Sequence, residues 1–166
     1  MKNLVNIKKI PFEIAQLLAG NPNFCSLILD DSDDPGKVET SLTKLLNNHY
    51  LTIYPPVNDG GITDYGRNTY VVILLDSITT ESQDNNMNVT GYIYITTDNS
   101  HILLSQNRSR LLELADVVLQ TLNGVKLTSA GQMEVGSITH VMISNFRAGY
   151  RINFTVTDQQ TERAEI

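Results

Sequence analysis

Across 166 residues there is one cysteine, Cys25, and no tryptophan. A single thiol excludes an intramolecular disulfide and leaves no cysteine set for structural zinc. Beside Phe24 and Leu27, Cys25 reads as a small buried residue rather than a reactive one. Charge is scarce as well, at 18% of residues, and what there is sums to -6. An acidic chain gains nothing from bulk attraction to a phosphate backbone. The longest apolar run, around Tyr70–Leu75, is far too short to cross a bilayer. The opening residues lack the unbroken apolar core of a secretion signal. These features together lead us to expect a soluble protein made in a reducing cytoplasm. No P-loop, G-x-S-x-G elbow or G-x-G-x-x-G is present. Gly60-Gly61 precedes no helix that would receive a phosphate, and reads as loop.

With 41% hydrophobic residues the chain has the material for one sizeable core. A single domain is expected over 1–157, with a polar tail at 158–166. "PFEIAQLLAGNP" reads as a helix, with Pro11 in its first turn and Gly20 and Pro22 at its end. "FCSLILDD" reads as a strand or an extended turn. "DDPGKVETSLTKLLNNHY" reads as a second helix capped by Asp34, with Val38, Leu42, Leu45 and Leu46 on one face. "YLTIYP" reads as a strand, and 55–68 as a loop by its Pro, Gly and Asn content. "TYVVILLDSI", apolar on both faces, is expected at the centre of the sheet. A polar tip then leads into the returning strand "VTGYIYITT".

"SQNRSRLLELADVVLQTLNG" is the clearest helix, its apolar face running Leu111, Leu114, Ala115, Val118, Leu119, Leu122 and its stop at Gly124. "VKLTSAGQMEVG" reads as a short strand or hairpin. "SITHVMISN" and "YRINFTVTD" read as an antiparallel pair joined across "FRAG". In the last of these, Tyr150, Ile152, Phe154 and Val156 share one face. Strands and helices do not alternate as in a βαβ series. The fold class implied is α+β, an antiparallel or mixed sheet with helices packed on one face.

The densest run of ionisable groups is Asp30, Asp31, Asp33 and Asp34 in "DDSDDPG". As a calcium loop it fails twice: Pro35 stands at the fifth position and Leu42 at the twelfth, where oxygens are required. It reads instead as a turn whose last Asp caps the next helix, its surplus charge in water. His49, His101 and His140 are scattered, with no i, i+4 partner for a metal. Asp76, at a strand end, is the best single candidate for catalysis. Arg108 and Arg110 open a helix against its dipole, a mismatch that asks for a partner. Arg147 and Arg151 flank the last hairpin turn. As a set, the four arginines suit the Asp30–Asp34 patch of a neighbouring subunit. Without interleaved aromatics they make a poor nucleic-acid signature.

The order of elements resembles that of small phage neck proteins, the tail terminator and head-to-tail connector group. The carriers are "FEIAQLLAGNP", the pair "TYVVILLDSI" and "VTGYIYITT", the helix "NRSRLLELADVVLQTLNG", and "HVMISNFRAGYRINFTVTD". The extra helix around Val38–Asn48 departs from the simplest members. The resemblance implies a virion protein with no catalysis and no cofactor. It implies a homo-oligomeric ring that joins other neck, tail or portal proteins while DNA passes without specific binding. Acidic loops would then repel the DNA backbone in transit. Two competing readings stand beside it. One is a non-enzymatic adaptor or ligand-binding module, monomeric or dimeric, with Tyr92 or Tyr94 at a pocket mouth. The other is a small enzyme built on Asp76 or the acidic cluster.

Overall fold

The computed structural model describes residues 7–53, 67–80 and 87–158. A five-stranded mixed sheet carries helices on one face, an α+β fold. The strands are β1 (Leu51–Thr52), β2 (Thr69–Thr80), β3 (Met87–Asp98), β4 (Gln132–Ser144) and β5 (Arg147–Asp158), in the order β1-β2-β3-β5-β4. β1 runs parallel to β2, and the other neighbours are antiparallel. The helices are α1 (Ile10–Ala19), α2 (Pro22–Leu29), α3 (Leu42–Asn47) and α4 (Arg110–Leu122). The expected loop at 55–68 lies outside the described residues as far as 66. Of the polar tip expected at "TTESQDNNMN", Thr79 and Thr80 belong to β2 and Met87 and Asn88 to β3, while 81–86, like the tail from 159, lie outside the described residues.

Alternation decides which side of the sheet is buried. Val71 and Ile73 of β2, Val89, Ile93 and Ile95 of β3, and Ile152, Phe154 and Val156 of β5 point to the helices and are buried. Ile14, Leu18, Phe24, Ile28, Leu114 and Val118 meet them from the helical layer. Full burial of each such aliphatic side chain is worth roughly 1.5–3 kcal/mol. Gly91 is needed at the centre: a Cβ there would lie 2.4 Å from the Phe154 ring and 2.5 Å from the Leu74 carbonyl oxygen. The ring of Phe154 fills the space above the glycine it faces across the strands.

Several expectations need correction. "FCSLIL" is helical, within α2, not extended. Asn21 caps it, accepting from the N–H groups of Asn23 and Phe24, and Pro22 takes the first turn. Because Phe24, Cys25, Leu27 and Ile28 are all buried, the helical period does not show. The helix expected from Asp34 starts only at Leu42, capped by Ser41. Of the strand expected at "YLTIYP", Leu51 and Thr52 are strand among the described residues, which end at Ile53. The centre of the sheet belongs to β3, since β1 covers only Val71 and Val72 of β2. The last turn is Asn145-Phe146, and Arg147, Ala148 and Gly149 already belong to β5.

Candidate functional site

Arg110 answers the question of the acidic loop. It is the first residue of α4, after the Ser109 cap, and only 1% exposed. Its side chain does not stay beside the helix dipole. Nε donates to the His101 carbonyl at 2.9 Å, one terminal nitrogen to the carbonyls of Leu27 and Asp30 at 2.7 and 2.8 Å, and the other to that of Ser32 at 2.7 Å. A guanidinium has five N–H groups in a fixed fork, and four backbone oxygens collect them here. Burial pushes its pKa down, while the charges of Asp31, Asp30 and Asp33 pull it back. The partner is thus the backbone of the same chain.

The carboxylates of the loop are spent locally or left in water. Asp30 accepts from the N–H of Ser32 at 2.9 Å and of Gly36 at 3.2 Å, and the Ser32 bonds lead in holding its carboxyl below the usual range. Asp31 accepts from the side chain of Asn68 at 2.7 Å. Asp33 and Asp34 are exposed, and the Asp33 carbonyl accepts from the Ser105 N–H. Asp34 caps no helix. It lies 3.5 Å from Arg108, which reaches Glu113 at 3.0 Å. Among the described residues, no group of three or more His, Cys, Asp or Glu is placed to hold a metal ion.

Arg147 repeats the theme on the sheet face away from the helices. It is 8% exposed, donates to the carbonyls of Asn68 and Arg67 at 3.0 and 2.6 Å, and stacks 4.7 Å over the Tyr70 ring. Asn68 joins the two arginine centres, since its side chain meets Asp31 and His101. Facing an amide donor, His101 Nε2 accepts, so Nδ1 carries the hydrogen toward Ser100 Oγ at 2.8 Å. Ser100 in turn donates to Asp98 at 2.7 Å. The carboxylate therefore holds the serine and not the imidazole, the reverse of the order that makes a serine nucleophilic.

The other singled-out residues lie apart from this corner. Arg151, well inside β5, stacks 4.9 Å over Tyr92, and Tyr94 lies beside Tyr92 with ring centroids 6.2 Å apart. A guanidinium therefore covers one face of the ring expected at a pocket mouth. Asp76 stands exposed at a bulge of β2 and accepts from the Tyr92 hydroxyl at 3.4 Å. Cys25 is buried, its thiol donating to the Ala19 carbonyl, and burial pushes its pKa up.

The sequence does not say which stretches of the hairpin edges stay unpaired. Gly124–Leu127 covers the outer side of β4 only at its start, where Gly124 N–H donates to Met133 and Met133 N–H to Val125, both at 2.8 Å. Beyond Val135 no described residue pairs with that edge. On the far side of the sheet, β2 pairs with β1 only at Val71 and Val72. This register gives the Ile73 N–H to the Thr52 carbonyl, and beyond Ile73 β2 has no described neighbour on that side.

The YomW family model matches residues 21–156, from the cap of α2 through most of β5. No curated protein matches the chain. The chain belongs to the YomW family, which is phage-derived, of the Bacillus phage SPbeta yom group.

Proposed function

From this phage ancestry, we propose that the chain is a structural subunit of a phage particle. In this reading it assembles with copies of itself into a ring at the head–tail neck or in the tail, and joins the adjacent ring, tail or portal proteins. The observation that carries the reading is a pair of unlike edges, β4 beyond Val135 and β2 beyond Ile73, that no described residue pairs with. Within the sheet, strand direction alternates through β2, β3, β5 and β4. When one copy is set beside the next, β4 of the first and β2 of the second are antiparallel by construction. A contact between two different patches is heterologous, and it closes into a ring when the rotation between copies allows. A strand edge that no described residue pairs with is a template for another chain.

The acidic corner fits the same role. Arg110 fixes the backbone of 27–32, while Asp31, Asp33 and Asp34 keep their carboxylates at the surface. Facing a channel, such a loop repels the DNA backbone, so that DNA passes without specific binding. The subunit needs no cofactor and performs no reaction. The test is mass spectrometry of purified phage particles from the host that carries the gene. The reading expects the chain in several fixed copies per particle. Complete, infective particles that lack it would contradict a structural role.

A further inference from the structure

Resting on the reading of the β4 edge as a template for another chain, we propose that residues 124–131 form a displaceable strap. The strap covers the start of that edge and opens without unfolding of the sheet. Closed, it withholds 132–135 from a neighbour.

Its hold on the edge is explicit. Gly124 N–H donates to the Met133 carbonyl and Met133 N–H to that of Val125, both at 2.8 Å, and Leu127 N–H donates to the Gly131 carbonyl at 3.0 Å. Just ahead of the strap, Asn123 Oδ1 accepts from the Val135 N–H at 3.1 Å. The outward groups of Met133 and the N–H of Val135 are thus satisfied within the chain. The strap carries exposed Lys126, the residue type with which edges are commonly blunted. From 136 to 144 the same strand has no lysine, arginine, aspartate or glutamate, and no described neighbour on that side. One strand therefore has a guarded half and an open half.

The strap is thinly attached. Of its side chains only Leu127 is buried in the core. Glu13 of α1 supplies the latch. Its carboxylate accepts from the Thr128 N–H at 2.9 Å, the Thr128 hydroxyl at 2.7 Å and the Ser129 N–H at 2.9 Å. Glycine stands at each end, and Gly124 has a φ of +79°, where other residues are strained. Space lies on both sides. A cavity of about 230 Å³ separates Val125 and Leu127 from Gln16 and Leu17 of α1. Another of about 390 Å³ opens between Lys126, Glu134 and Thr157. Ser129 Oγ is buried with no hydrogen-bond partner among the described residues. A segment with few buried apolar contacts opens at a lower free energy than the sheet it leans on. Opening bares Leu127, so the closed state prevails until a neighbouring strand takes over the bonds of Met133 and Val135.

The test is native-state hydrogen exchange of the full chain over a series of low urea concentrations. The strap expects the amides of Leu127, Thr128, Ser129 and Met133 to exchange together. They should exchange at least about tenfold faster than those of Ile93 and Ile152, with a weaker urea dependence. Glu13→Gln then speeds these four amides by about fivefold, without raising that dependence. Two results overturn the strap. If the four amides match Ile93 and Ile152 in rate and urea dependence, the segment opens only with the whole fold. If Glu13→Gln leaves their rates unchanged, Glu13 is no latch. Both are read on the strap alone. A wild-type chain that stays monomeric removes the edge reading instead, and with it the purpose given to the strap.

Discussion

The Arg110 corner and the free half of β4 dispose of their polar backbone in opposite ways. At the corner, four carbonyl oxygens from Leu27 to His101 converge on one buried guanidinium. Along Ile138–Met142, the outer backbone groups meet nothing among the described residues, and apolar side chains stand in water. The first region is closed on itself, although its sequence, "DDSDDPG", attracts attention. The second is open, although "ITHVM" looks ordinary. Backbone satisfaction therefore separates internal structure from surface left for a partner better than charge density does.

The largest expected effect is at the closed corner. Arg110→Met removes the donors of four backbone carbonyls, that of Leu27 buried and the others partly so, and costs about 3 kcal/mol, read as the loss in urea unfolding free energy. If the loss were a few tenths, the corner would not be closed in the sense argued here. Gly91→Ala comes next. Its Cβ meets the Phe154 ring and the Leu74 carbonyl, and overpacking of that kind costs about 1–3 kcal/mol in the same assay.

Glu13 supplies a pH test. Burial raises its pKa, but hydrogen bonds from Thr128 and Ser129 outweigh burial and hold it below the usual carboxylate range. The folded state therefore binds this proton less readily than the unfolded chain. The stabilisation is complete above the unfolded value and is lost as pH falls through the folded one. Glu13→Gln is expected to lose about 1 kcal/mol at pH 7, with the difference from wild type shrinking in acid. A difference independent of pH would contradict the assignment.

The open half of β4 gives the reverse pattern. Met142→Lys changes monomer stability by less than about 0.5 kcal/mol, because the side chain is exposed, yet it blocks assembly in sedimentation. The smallest effect belongs to Asp34→Asn. Its contact with Arg108 is long and open to water, so no measurable change in melting is expected.

The sequence made some of this legible. α1, β3, α4 and the alternation of β5 follow from periods that one buried face imposes, and β2 from a continuous apolar run. α2 did not show because it is buried nearly all round, which erases the period, although Asn21-Pro22 carried its start signal. Asp34-Pro35 imitated such a signal, while Ser41 supplied the actual cap of α3. Arg110 registered only as a charge at the wrong helix end. Its acceptors at Leu27, Asp30 and Ser32 are far away in sequence, and no local pattern announces carbonyls. The free edges depend on what β1 and Gly124–Leu127 leave uncovered, a tertiary fact.

The most direct measurement is the mass of the purified wild-type chain by light scattering over a wide concentration range, with negative-stain images of the same samples. The account predicts one discrete mass of many copies and closed rings in the images. A monomer at every concentration, or a dimer that grows no further, would contradict it.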